Sequence, residues 1–442
     1  MMPLRRFVFF LIPLTLLAFT VAACSDSSRD PLPGERISIL DLQSALAPDA
    51  IGETDEPLKV PSPWQNEFWP QAGGYPNHAM QHLALNEDGL RLAWSANIGR
   101  GSDRRLPLLA QPIVVDGRVF TLDTHSRLTA FSTQDGKELW HTNVRSANES
   151  DPVISGGIAF SNAVLYVTNG YKEVLAINPE NGKIFWRESI PAPSRAAPTI
   201  MENRLFVITL DGRVIAMNAL NGAILWEYQG ISETAGLVGA ASPAANFDIV
   251  LPVFSSGEIT ALRVENGSVA WSDNLSTIRA IGGLASLSDI RGLPVIDKGL
   301  IIAISFSGRI VAIDERSGGR VWQREFGGAQ TPWVAGNSIF VVTSDSELVA
   351  LNRDNGLIRW VTQLDKYTRP DRRDGKIIWT GPVLAGGRLI AVSDNGLLAE
   401  INPETGEIIR QSDIGQSVTI PPTLADRTLY LLTDRGNLLA YR

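Results

Sequence analysis

The chain has 442 residues, 44% of them hydrophobic, with 39 glycines, 26 prolines, one cysteine and a formal net charge of −8. The acidic balance disfavours nucleic-acid binding through phosphate neutralisation, and a lone cysteine excludes an internal disulfide or a cysteine-rich metal site. So apolar and turn-rich a composition is that of an ordered protein, and its length exceeds one ordinary domain unless repeats account for it.

The amino terminus reads "MMPLRRFVFFLIPLTLLAFTVAACSDSS". Arg5 and Arg6, an uncharged apolar run from Phe7, and small residues before Cys24 follow the order of a secretory signal. Pro13 interrupts the run and polar residues from Ser25 end it, short of the roughly 20 apolar residues of a spanning helix. Residues 1–23 are therefore expected to be cleaved. Losing Arg5 and Arg6 with them moves the net charge from −8 to about −10. Val21-Ala22-Ala23-Cys24 resembles the bacterial lipobox, which implies an acylated Cys24 as first mature residue. By the same resemblance to lipoproteins, Ser25 after it implies sorting to the outer membrane, on the periplasmic face.

Residues 24–63 are rich in Ser, Asp, Glu and Pro and are expected to form a flexible tether with a reach on the order of 35 Å. Residues 64–89 read as an entry segment, and from residue 90 a repeat takes over. One phrase recurs seven times: "LTAFSTQDGKELW", "VLAINPENGKIFW", "VIAMNALNGAILW", "ITALRVENGSVAW", "IVAIDERSGGRVW", "LVALNRDNGLIRW" and "LLAEINPETGEIIR". In the first six an alanine stands six residues before a glycine and a tryptophan four after it; Glu400 and Arg410 take those places in the seventh.

Physically the phrase is a β-hairpin: a strand of β-branched and apolar residues, an Asn/Asp/Glu-Gly turn, and a short strand ending in Trp. Two further strand-like runs precede each copy, giving four antiparallel strands per repeat. Trp140 to Trp360 spans 220 residues in five intervals, a mean of 44, the period of propeller blades. "LRLAWSANI" near the start offers one strand with no hairpin before it, while "TIPPTLADRTLYLLTDRGNLLAYR" at the end offers three. The expected fold is all-β: an eight-bladed propeller over residues 90–442, whose eighth blade is completed by both chain ends. Trp94, Trp140, Trp186, Trp226, Trp271, Trp322 and Trp360 are expected to dock each blade on the next. Trp64, Trp69, Trp333 and Trp379 stand outside the phrase and are the aromatics left for ligand contact.

Catalytic motifs are missing. The chain carries no GxSxG elbow, HExxH helix or GxxxxGK[ST] loop. His78 and His82 have the spacing of a helical metal pair, but Pro76 lies close and no carboxylate motif accompanies them. Two connections exceed a blade turn: "NLSTIRAIGGLASLSDIRGLP", from Asn274, and "YTRPDRRDGK", with Arg369, Arg372 and Arg373.

The Ala-x-Asn/Asp-x-x-x-Gly-x-x-x-Trp phrase resembles the docking motif of propellers related to quinoprotein dehydrogenases. Those enzymes carry a vicinal disulfide over the cofactor, which one cysteine cannot supply. Taken with the lipobox and the acidic tether, the chain resembles the BamB family of outer-membrane β-barrel assembly lipoproteins. "FWPQAGGYPNHAMQHLAL" is similar to the ring entry of alphaproteobacterial members. That resemblance implies a non-catalytic scaffold without cofactor or metal. It implies docking on the POTRA domains of the barrel subunit BamA and help in inserting unfolded β-barrel precursors. It also implies partner contacts at Arg195 in "APSRAAPT" and at Leu287 and Asp289 in "SLSDIRG", where Arg291 replaces a second acid. The competing readings are a quinone-dependent dehydrogenase and another cell-envelope scaffold.

Overall fold

The repeated hairpin is the unit from which the ring is built. The computed structural model describes residues 46–50, 52, 57–231, 239–276, 289–306 and 308–442. Within them lie eight four-stranded antiparallel sheets, the blades of a propeller. Blade 1 is typical: β1 (Ile113–Val115), β2 (Arg118–Leu122), β3 (Arg127–Ser132) and β4 (Glu138–Asn143), in spatial order. Its inner strands are almost wholly buried, whereas β4 alternates between exposed and half-buried. Sheets stacked face to face bury both faces of such strands, so they read as continuous apolar runs.

The phrase residues explain how one blade sits on the next. Each docking Trp pairs across the hairpin with the phrase Ala, as Ala130 with Trp140 and Ala216 with Trp226, and a β-bulge follows at once. The Trp ring then reaches the neighbouring blade. Trp140 Nε1 donates to Pro179 O at 2.9 Å, Trp271 Nε1 to Glu315 O at 2.8 Å and Trp322 Nε1 to Arg353 O at 2.8 Å. There the ring lies on the next phrase glycine. A methyl group added to Gly356, whose φ is +69°, would come within 2.6 Å of Trp322. Glycine is thus needed twice, for the left-handed turn and for the ring above it.

Blade 8 joins the chain ends. Its inner strands are Thr423–Ala425, Thr428–Leu432 and Asn437–Tyr441, and Leu92–Asn97 pairs beside the last, placing Trp94 opposite Ala440. Trp94 Nε1 donates to Thr133 O of blade 1 at 3.0 Å. The sequence offered this strand no hairpin, yet the structure supplies the turn. Asp88 N–H donates to Asn86 Oδ1 at 3.0 Å, and Gly89, at φ +116°, lies beside the Arg410 guanidinium as other phrase glycines lie beside Trp. The turn "NEDG" belongs to the entry segment, and the cut in blade 8 falls between Arg442 and Arg91, whose backbones exchange two 2.9 Å bonds.

Blade 7 carries the two departures from the phrase. Glu400 pairs across the hairpin with Arg410 and forms a 2.5 Å ion pair with Arg388; the side chains of Glu400 and Arg388 are 3% and 5% exposed. Arg388 also donates to Gly386 O and Asn86 O, both at 2.9 Å. A buried charge held this way ties blade 7 to the entry segment.

The tether was expected to reach residue 63, but its last part packs on the ring. Leu58 is buried, Lys59 N–H donates to Asn337 Oδ1 at 3.0 Å, and Asp49 forms a 2.9 Å ion pair with Arg324. The compact unit accordingly runs from Ala47 to Arg442. An apolar residue and specific pairs hidden in a polar stretch outweigh its average composition.

Candidate functional site

The innermost strand of each blade presents an edge of backbone groups to the central channel, and unpaired edge groups need partners. Residues 64–84 supply them by running round the channel as a plug. Asp426 N–H of blade 8 donates to Asn66 O at 2.7 Å. Trp69 exchanges two backbone bonds with Val114 of blade 1, and Phe160 N–H of blade 2 donates to Pro70 O. The Gln71 amide bonds both backbone groups of Ile200 in blade 3, at 3.0 and 2.9 Å. Ala245 and Ile296 of blades 4 and 5 donate to Pro76 O and Asn77 O. In blade 6 Trp333 Nε1 donates to Gln81 O at 2.7 Å, and in blade 7 Leu83 bonds Leu384 O and accepts from Gly386 N–H. Trp64 and His82 close the loop at 3.0 Å.

This plug settles the two histidines. Both sit in irregular chain, His78 with φ +59°, so no helix aligns them. His78 Nδ1 lies 2.7 Å from Pro294 O, and His82 bridges Pro61 O at 2.6 Å and Gly387 N–H at 2.9 Å. Burial pushes His78 down to about 4, leaving it neutral at pH 7. Among the described residues no group of three or more His, Cys, Asp or Glu is placed to hold a metal ion.

Three of the four unassigned tryptophans are core residues: Trp69, Trp333 and Trp379 are 1%, 7% and 3% exposed. Trp69 and Trp333 stack at 6.5 Å around the channel. Trp64, 39% exposed, stacks on Tyr75.

Between the plug and the loops that lead into the innermost strands lies a cavity of about 140 Å³. Arg195, from the loop before blade 3, and Arg291, from the loop before blade 5, both line it. Arg195 is presented by a pinned turn: buried Ser194 Oγ bonds Ala196 O at 3.1 Å, and Thr168 Oγ1 donates to the same carbonyl at 2.6 Å. Asp289 is buried, its carbonyl accepting from Phe306 N–H at 2.9 Å, and its charge faces Arg291. Desolvation in the cavity mouth holds the Arg291 guanidinium below its usual range, against the attraction of Asp289. The structure therefore brings Arg195 and the Asp289 loop to one end of the channel. Arg291, which the sequence presented as a departure, is the second cation there. Leu287 and Cys24 lie outside the described residues.

The "YTRPDRRDGK" insert is a small hairpin, Tyr367–Arg369 with Asp374–Lys376, in which Arg369 pairs with Asp374 and residues 368–376 are exposed. It leads into blade 7 from the same end of the ring.

The outer membrane protein assembly factor BamB of Yersinia pestis is 26% identical over 355 residues, 79% of this chain and 88% of that one. The crystal structure of BamB from Moraxella catarrhalis superposes with a TM-score of 0.65 at 20% identity, covering 80% of this chain and 98% of that one. A quinohemoprotein alcohol dehydrogenase from Pseudomonas putida superposes equally well, TM-score 0.66 over 86% of this chain and 80% of that one, at 13% identity. These two superpositions establish the shared propeller. The sequence profile described as outer membrane protein assembly factor BamB matches residues 79–161, 148–362 and 367–442, and the chain belongs to that family.

Proposed function

We propose that the protein is a non-catalytic scaffold lipoprotein of outer-membrane protein assembly. It docks through the cavity end of the ring on the POTRA domains of BamA, and aids insertion of β-barrel precursors. The observation that carries this reading is the meeting of Arg195 with the Asp289–Arg291 loop at one rim, although they leave different blades. Cations and acids presented on pinned loops around an apolar depression suit a protein interface, where Arg anchors in desolvated pockets carry much of the energy. Cys24 would hold the ring at the periplasmic face of the outer membrane through its acyl chains, because one chain alone anchors only marginally.

Co-purification from membranes tests both parts. Arg195→Ala and Asp289→Ala are expected to lose BamA while the ring stays folded, and full retention by both refutes the contact assignment. Cys24→Ser is expected to release a folded ring from the membrane. A variant still membrane-bound after a high-salt wash refutes lipid anchoring.

A further inference from the structure

The cavity between plug and rim has a chemical character of its own. Two guanidiniums converge on it, and among the described residues neither Arg195 nor Arg291 forms a salt bridge or hydrogen bond. Asp289, beside Arg291, sets one negative charge against the two positive ones and has bonding of its own. The remaining walls are largely apolar, with Leu108, Leu109, Leu293 and Trp333 prominent. A bare inorganic anion would satisfy the arginines and leave these walls unfilled. The volume of about 140 Å³ is close to that of the engineered apolar cavity, about 150 Å³, that takes up benzene.

We propose that this cavity is a binding site for a small organic carboxylate with a ring-sized apolar body, the carboxylate held by Arg195 and Arg291. Paired guanidiniums recognise a carboxylate by charge-assisted hydrogen bonds, and the leucine and tryptophan walls select the apolar body. The site goes beyond the docking reading, and its ligand binding is read on the isolated chain without BamA.

The probes are benzoate, benzyl alcohol and inorganic phosphate, titrated into the purified chain by calorimetry and tryptophan fluorescence, the latter reporting through Trp69 and Trp333. Benzoate is expected to saturate one site, and benzyl alcohol and phosphate to bind at least tenfold more weakly. Arg195→Met with Arg291→Met is expected to weaken benzoate at least tenfold. Ala329→Phe, which fills the cavity without touching a charge, is expected to abolish binding while the ring melts as wild type. The proposal is overturned if no probe saturates, if benzyl alcohol or phosphate binds as well as benzoate, or if either variant binds benzoate as wild type does.

Discussion

Trp94 is the wedge between the cut blade and blade 1, so its replacement by alanine tests ring closure more directly than any core change. The side chain is 8% exposed, its Nε1 bonds Thr133 O at 3.0 Å, and its ring lies against Gly136 and at 5.9 Å from Tyr430. Truncating a buried Trp costs about 3–5 kcal/mol, the lost Nε1 bond included. At about 2.1 cal/mol/K of unfolding entropy per residue, each kcal/mol moves the melting temperature of a ring this large by about 1.2 °C, so a fall of roughly 4–6 °C is expected. Trp226→Ala, at the joint between blades 3 and 4, is the control, since Trp226 Nε1 makes the same bond to Val264 O at 3.0 Å.

In a closed ring the two joints are equivalent, and the two variants should melt together in one transition. An open array of blades behaves differently, because its terminal joint frays without loosening the middle. Thermal unfolding followed by circular dichroism and calorimetry reads the difference. A Trp94→Ala protein melting within about 2 °C of wild type, while Trp226→Ala melts far below it, would show that the ends do not close the ring.

Three further perturbations follow. His78 is pushed from 6.5 to about 4, so the unfolded chain binds its proton first as pH falls. Its contribution is complete above about pH 6.5 and is lost between there and about pH 4, a drop of about 3 kcal/mol that His78→Gln should remove; parallel denaturant midpoints for the two proteins across that window would refute it. Glu400→Ala strands the Arg388 guanidinium and should cost about 3–5 kcal/mol by urea unfolding, whereas Arg388→Met with Glu400→Leu should recover most of the loss. Gln71→Leu leaves both Ile200 backbone groups without partners and should cost about 2–4 kcal/mol; a neutral result would mean that the plug does not stabilise blade 3.

The blades were legible in the sequence because one constraint repeats: Ala beneath Trp, and Gly beneath the preceding blade's Trp, recur at a fixed period. The plug was not legible as structure, because each of its residues meets a different blade. Gln71 serves blade 3, Pro76 blade 4 and Gln81 blade 6, so no period can arise. Its missed signal was "NEDG" ahead of Trp94, a phrase turn standing five residues before its Trp rather than four. Glu400 and Arg410 announced themselves by breaking the phrase. Arg388, the group that makes a buried Glu400 tolerable, looked like any arginine after a Gly-Gly turn. Trp69, Trp333 and Trp379 left the docking motif without leaving the core, and of the three Trp69 and Trp333 also line the cavity.

The plug also accounts for where the free end of the channel lies. Its bonds fall within or just after the innermost strands: Val114 within β1, Gly386 after the first strand of blade 7, and Asp426 after that of blade 8. The residues just before those strands, among them Arg195, Arg291, Gln330 and Thr419, are left to line the cavity. Because the segment continues through the Asn86 turn into Leu92–Asn97, sealing one end and closing the ring are acts of one continuous stretch of chain. A polar chain lying along eight strand edges satisfies backbone groups that would otherwise face an apolar channel, and this favours a filled end over an open tube. The cations at the other end share a cavity with the plug without bonding to it, which makes that rim the proposed place for a partner surface or a small carboxylate.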